Sequence, residues 1–451
     1  MTSASHAGIR RKSLWPQKIT SWIRLPTYRE GPMFQLRTII KNAAWLSLAQ
    51  LLNYTLPLLT IPVIARAFEP HTFGILSALN AFGLYVGVAA NYGLCVTGPR
   101  SIARLRADAH LLSKTVSGFL TAQFFLGAAT TLIFFAALPL VPPIRGYKLV
   151  GFLVLIQMFA TAAAPQWVYV GLEHTRSFAI NQFVCRGLAV VLIVFLIRAP
   201  DDLLLYVSLN CCAAVAILIS TIVGLARYQV RWVAPEFQEL ILVIRQSTQL
   251  FLSRISFNVY YAATVPIVAV VLGPSAAGIF ALADRIRFVA GTTIDPITDS
   301  AYPFLCRMAG REETSVEAWT KRIVFRGMVV ASALISIALF TFAPYIIWIL
   351  GGDKFEDATL VLRMIAFVPL LTALWKTFGN QIMLPLRMDR EYTWIVTFAA
   401  LCSVTGVFVL TKEFGLAGAA LNLLIVEICM VAAFALTVHR RIGVLAVFFD
   451  H

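Results

Sequence analysis

Apolar runs of roughly 20 residues recur along most of the chain, separated by short polar or Pro/Gly breaks, and each can cross a ~30 Å hydrocarbon core as a helix. About twelve such runs can be drawn: 40–65, 74–96, 115–140, 148–171, 178–198, 203–225, 249–272, 276–304, 323–350, 358–384, 392–411 and 415–438. A transmembrane β-barrel would show alternating segments of about ten residues instead, and the chain has none of that period. The pattern predicts an all-α membrane protein.

The breaks are not independent of one another. Pro62, Pro70, Gly74, Gly87 and Pro99 reappear as Pro266, Pro274, Gly278, Gly291 and Pro303 when the chain is shifted by 204 without gaps. Each copy reads as two membrane helices joined by a tight turn, Glu69–Gly74 in the first and Gly273–Gly278 in the second. Asn80 falls on Asp284 and Asn91 on Asp295 under the same shift. An internal repeat of this kind predicts two six-helix bundles related by a pseudo-twofold axis around a central cavity. The domain reading follows: a basic cytoplasmic tail over 1–37, a first bundle over 38–226, an amphipathic cytoplasmic linker over 227–248, a second bundle over 249–438, and a tail over 439–451.

Composition agrees with the pattern. Of 451 residues 59% are hydrophobic and 13% charged, with a mean hydropathy of +0.81, which excludes an ordinary soluble domain. The net charge of +15 would suit nucleic acid or anionic lipid, and its placement decides between them. Most of the 37 Lys and Arg fall in the tails and in alternate loops, so both termini are expected in the cytoplasm, with membrane lipids rather than nucleic acid as the partner. Residues 1–37 are not expected to be a cleaved signal peptide, because the first apolar run is too long and continues into the Pro/Gly turn. The seven cysteines have neither metal-ligand nor disulfide-framework spacing, and no cofactor or metal is expected. No phosphate-binding loop, zinc motif or nucleophile elbow is present either, so no catalytic residues are assigned and an enzyme is not expected.

The unusual chemistry is charge placed inside apolar runs, where a central Asp, Lys or Arg costs roughly 2.5–3.5 kcal/mol unless it pairs, reaches an interface or lines a wet cavity. Asp284, Arg287, Gly291, Asp295 and Asp299 share about one third of a helix circumference, which marks a face turned away from lipid. The candidate cavity residues are Arg254, Arg285, Arg287, Asn91, Asn53, Arg186, Lys376 and Arg363; Asp284, Asp295, Asp299 and Glu427 are candidates for proton coupling. For each the alternative is structural: snorkelling to the interface for Arg254, Arg186 and Lys376, an ion pair for Arg285 or Arg287 with Asp284, a hydrogen-bonded core carboxyl for Glu427. Several cations in one cavity would suit a multiply charged anion, since guanidinium binds phosphate bidentately and stays charged when dehydrated.

Pro57-Leu-Leu-Thr-Ile-Pro62, the turn through Phe73-Gly74, Asn91-Tyr92-Gly93-Leu94 followed by Arg100, and Gly278 to Arg285 followed by Tyr302-Pro303 together resemble the Wzx-type polysaccharide flippases of the multidrug/oligosaccharidyl-lipid/polysaccharide exporter superfamily. That resemblance covers most of residues 38–438. It implies alternating access by two rocking bundles in the bacterial inner membrane. It also implies an undecaprenyl-pyrophosphate-linked oligosaccharide as substrate, proton or other cation coupling, and polysaccharide polymerase and glycosyltransferase partners. Two rivals remain: a cation-coupled multidrug exporter of the same superfamily, which would want an acidic first-half cavity, and a membrane-embedded polymerase or ligase, which would want a large outer loop.

Overall fold

The computed structural model describes residues 59–105, 108–295, 298, 305 and 315–442. Among these, eight helices are long and apolar enough to cross a membrane; one of them, α15 (Asp389–Ile442), merges two runs across a kink at Gly415. Large apolar side chains such as Phe125, Leu132, Trp348 and Phe398 point outward, as lipid-facing positions must. The chain is a multi-pass helical membrane protein. The first span is described only over 59–67 (α1), and Asn53, Asp299, the 1–37 tail and most of the 439–451 tail lie outside the described residues.

The first half continues through α2 (Pro70–Asn91), α3 (Leu94–Leu105), α4 (Ala109–Ala137), α5 (Lys148–Ala163), α6 (Gln166–Gly171), α7 (Thr175–Leu196) and α8 (Leu203–Gly224). Local chemistry sets the ends. Pro70 opens α2 at a position whose N–H needs no partner, and Tyr92 in the left-handed region, followed by Gly93, closes it. Asp108 caps α4 by accepting from His110 N and Leu111 N, both at 3.0 Å. Pro165 separates α5 from α6, since it cannot donate to the helical ladder.

The second half comprises α9 (Phe237–Ala262), α10 (Thr264–Leu272), α11 (Pro274–Thr292), α12 (Ser315–Gly351), α13 (Ala358–Ile365), α14 (Val368–Lys376) and α15. The expected span 249–272 corresponds to the end of α9 and α10, broken at Ala263, and the described part of the expected span 276–304 contains α11. A π-helical stretch, Thr377–Met383, follows α14 directly.

Within the amphipathic linker expected over 227–248, the structure has a non-helical strap over 230–236 and then the first turns of α9, which continues as one helix to Ala262. The strap is fastened to α4: Arg231 N donates to Ser113 Oγ (3.1 Å) and Val233 N to Ser117 Oγ (3.0 Å). Lys114 meets Glu239 at 2.6 Å and Glu236 at 3.4 Å. The Lys114 hydrogen bond holds the Glu239 carboxyl below its ordinary range. Backbone groups that a lone amphipathic helix would satisfy internally are here satisfied by side chains of the first half.

The halves meet most closely through α2 and α11. A Cβ on Gly74 would overlap the Pro274 carbonyl, and one on Gly278 would overlap the Pro70 carbonyl, so each glycine receives the backbone of the opposite copy's turn. Around this contact Arg66 Nη2 donates to Ile349 O (2.9 Å), Lys354 meets Glu69 at 3.4 Å, and Phe73 packs edge-on against Phe355. One apolar cluster runs across both halves here, joining Ile61, Phe68 and Ile75 to Phe280, Leu282 and Phe355. At the opposite end a second cluster, including Leu94, Ile102, Phe119 and Trp167, belongs to the first half plus Val243 of α9. The halves share a core at the turn end and are bridged at the other by Tyr92, which stacks on Phe251 and lies 3.3 Å from the Thr248 hydroxyl.

The reciprocal contact predicts that Gly74→Ala and Gly278→Ala each destabilise the protein by about 1–3 kcal/mol, as overpacking does. Gly327→Ala, in open space on α12, is the control and should not lower the thermal midpoint in detergent. Unchanged midpoints for the first two would remove the contact from the account.

Candidate functional site

Between the halves, on the far side of the turn-end contact, lies a cavity of about 450 Å³ walled by α1, α2, α5, α7 and α8 from the first half and by α10, α11 and the end of α9 from the second. Among the described residues its charged lining consists of Arg186, Asp284, Arg285 and Arg287. Three guanidiniums against one carboxylate leave this described lining net positive. Its neutral polar lining includes Ser77, Asn80, Gln157, Thr161, Tyr206 and Asn210.

Helical spacing explains the placement. Positions 77, 80, 81 and 84 lie on one stripe of α2, and 281, 284, 285 and 288 on the matching stripe of α11, so the repeat brings equivalent faces to opposite walls. On α11 the Arg287 guanidinium holds Asp284 Oδ1 with both Nε (2.9 Å) and Nη2 (2.6 Å), and Arg287 is itself buried. Arg287 thus bonds a carboxylate one turn away on its own helix. Arg285, exposed to the cavity, and Arg186 of α7 make no ion pair among the described residues. They supply one available guanidinium from each half.

The other candidates fall elsewhere. Lys376 on α14 pairs with Asp295, just past α11, at 2.5 Å, so both are used in holding two second-half elements together. Glu427 is fully buried within the second half and accepts from Trp375 Nε1 (2.9 Å) and Thr372 Oγ1 (3.2 Å). Asn91 accepts from Cys95 N at the end of α2, and Arg363 is exposed on α13. None of these five lines the cavity, which corrects the expectation for Lys376, Arg363 and Asn91. The physical reason is shared: each has a local or long-range partner, or an exposed position, that satisfies it without a cavity. Arg254 is on α9, but its side chain lies outside the described residues.

Gln157, Thr161, Tyr206 and Asn210 were not singled out as site residues from the sequence, because one neutral polar group in an apolar run is equally consistent with gluing two helices. The repeat held a usable signal for Asn80, which falls on Asp284. Tyr206 and Asn210 had none, since their meeting with α11 is purely tertiary.

The paired geometry predicts a difference between neighbouring arginines and their carboxylate. Asp284→Ala removes two short hydrogen bonds to a buried guanidinium and should cost about 1–3 kcal/mol of stability, while Arg285→Ala should stay within about 0.5 kcal/mol. Equal losses in denaturant unfolding would contradict a bonded Arg287 beside an available Arg285.

The model of a family described as "Polysaccharide biosynthesis protein" matches residues 39–309. A protein of Escherichia coli (strain K12) named "Putative O-antigen transporter" is 25% identical over 406 residues, covering 89% of this chain and 96% of its own. One of the same name from Shigella dysenteriae is 22% identical, covering 87% and 98%. Among solved structures, the lipid II flippase MurJ in an inward closed conformation aligns with a TM-score of 0.67 at 9% identity, over 87% of each chain. An inward-facing multidrug resistance MATE family transporter of the MOP superfamily aligns with a TM-score of 0.64 at 16% identity, over 88% of this chain and 98% of its own. At such identities the structural matches speak for the fold alone.

Proposed function

The chain belongs to the polysaccharide biosynthesis protein family, and from that premise we propose that it is a flippase that moves lipid-linked oligosaccharides across the bacterial inner membrane by alternating access. The observation that carries the reading is the net-positive lining, among the described residues, of a cavity between two halves that share a core at the turn end and are bridged by α9 at the other. The diphosphate of such a lipid is the multiply charged anion that Arg186 and Arg285 can take bidentately, one from each half. Its volume of about 450 Å³ falls within the roughly 300–1,000 Å³ typical of sites that enclose a polar headgroup, while the lipid tail remains in the bilayer.

In this scheme the turn end is the periplasmic face and both termini are cytoplasmic, as the distribution of Lys and Arg favours. Substrate held by both halves favours rocking because it contacts a residue of each. Asp284, already bonded to Arg287, is the carboxylate with which the anion competes, and it is the cavity's candidate for coupling to protons. Asp295 and Glu427 act within the second half. Polymerase and glycosyltransferase partners would take up and supply the moved unit.

A cation exporter of the same superfamily fits less well. Its ligand would meet Ser77, Asn80, Gln157, Asn210 and Arg186 from the first half and Arg285 and Arg287 from the second, with the one carboxylate among the described lining residues already paired. The test is reconstitution into vesicles with a lipid-linked oligosaccharide from the host, followed against a cationic dye. The oligosaccharide should cross and the dye should not, and Arg186→Ala and Arg285→Ala should each slow crossing by roughly tenfold or more. Dye movement without glycolipid movement would overturn the reading.

A further inference from the structure

The duplicated stripes that face each other across the cavity have diverged in one property. Ser77, Asn80, Ala81 and Leu84 of α2 stand opposite Ala281, Asp284, Arg285 and Phe288 of α11 at the constant offset of the repeat. Two register positions that are Asn and Ala in the first copy are Asp and Arg in the second. The neutral character extends beyond α2: α5 adds Gln157 and Thr161, and α8 adds Tyr206 and Asn210. Three helices of the first half thus build a wall of amides and hydroxyls facing a helix of ionised groups.

The state of the amides matters more than their number. Asn210 gives its Nδ2 to the Tyr206 carbonyl at 2.9 Å, so part of its capacity is used. The carboxamides of Asn80 and Gln157 make no hydrogen bond to any of the described residues, although both are half-buried and line the cavity. A carboxamide presents one acceptor oxygen beside a two-donor nitrogen, a pattern that neighbouring hydroxyls of a sugar ring answer by donating one O–H and accepting with the next. A phosphate has no proton to give at neutral pH, so it meets the amide nitrogen and is repelled by the amide oxygen. Half of each amide is wasted on an anion and all of it is used by a polyol.

We propose that the α2–α5–α8 wall is a sugar-reading subsite, in which Asn80 and Gln157 bind the hydroxyls of the sugar nearest the diphosphate and so set which oligosaccharide is accepted. This deepens the flippase reading and rests on it. The cationic residues Arg186 and Arg285 hold the invariant part of the ligand, and the neutral wall distinguishes one repeat unit from another. Such a wall discriminates by what it leaves unpaired: a sugar lacking the matching hydroxyl, or presenting it with the wrong stereochemistry, strands a half-buried amide. Tyr206 adds a ring at the edge of the same wall, next to Asn210.

The experiment uses the full chain in lipid nanodiscs and two probes, undecaprenyl diphosphate without sugar and the lipid-linked oligosaccharide extracted from the host's own membranes, with equilibrium binding as the readout. Asn80→Leu and Gln157→Met keep the volume and remove the amide. Each should weaken binding of the oligosaccharide roughly threefold to tenfold, the worth of one neutral hydrogen-bonded group. Each should leave binding of the sugarless diphosphate within about twofold of the unaltered protein. Arg285→Ala should weaken both probes, which shows that the assay can detect loss of the sugarless ligand. Oligosaccharide binding that survives both amide substitutions overturns the inference while leaving the flippase reading intact, and so does an equal loss for the two probes. An unaltered protein that binds neither probe overturns the flippase reading itself, and the subsite falls with it.

Discussion

Two helices cross with a glycine of each pressed against the other's opening turn, and this reciprocal contact of Gly74 with the Pro274 carbonyl and Gly278 with the Pro70 carbonyl determines how the rest can be arranged. In a bilayer no hydrophobic force draws one apolar helix to another, so close approach through small residues is what drives association. Because both copies carry the same Pro-x-x-x-Gly turn, the contact is self-complementary, and the axis between them becomes the axis of the molecule. Everything that seals the turn end, from the Glu69–Lys354 pair to the shared apolar cluster, is gathered around that crossing.

From that fixed point the two stripes beneath it are forced to face one another. A duplication delivers equivalent surfaces to both walls of a cavity, and selection can then alter each wall without disturbing the packing that created it. Charge accumulated on α11, where Asp284 neutralises one arginine and leaves another exposed. The opposite stripe on α2 stayed neutral, with amides added by α5 and α8 and one charge, Arg186, by α7. The remaining intramembrane charges, Lys376 with Asp295 and Glu427 with Trp375 and Thr372, are used to stiffen the second half. The strap over 230–236 is bonded to α4, so the connection between halves belongs mechanically to the first.

The sequence alone revealed the helices, the repeat and the charged face of α11, because all three depend on local period or on one constant offset. It also exposed Arg186 as a charge needing an explanation. What it could not separate was cavity from core. Lys376 meets Asp295 across 81 residues of chain and Glu427 meets Trp375 across 52, and no local pattern announces such pairs. Neutral residues posed the same difficulty: a lone Gln157 in an apolar run suits a path or interhelical glue equally, and only the fold places it, with Asn210, on the cavity wall. The linker's anchoring was hidden for a simpler reason. Its amphipathic pattern is real, but the partners of its backbone are Ser113 and Ser117, which lie in another helix.

Transport on this account requires the turn end to part, and locking it is the most direct test. Cysteines replacing Glu69 and Lys354, in a background free of other cysteines, can be joined by a short cleavable thiol crosslinker, since the native side chains already approach to 3.4 Å. With the crosslink in place, movement of the host's lipid-linked oligosaccharide across reconstituted vesicles should stop, and cleavage of the linker should restore it. Undiminished movement with the turn end held shut would contradict the account.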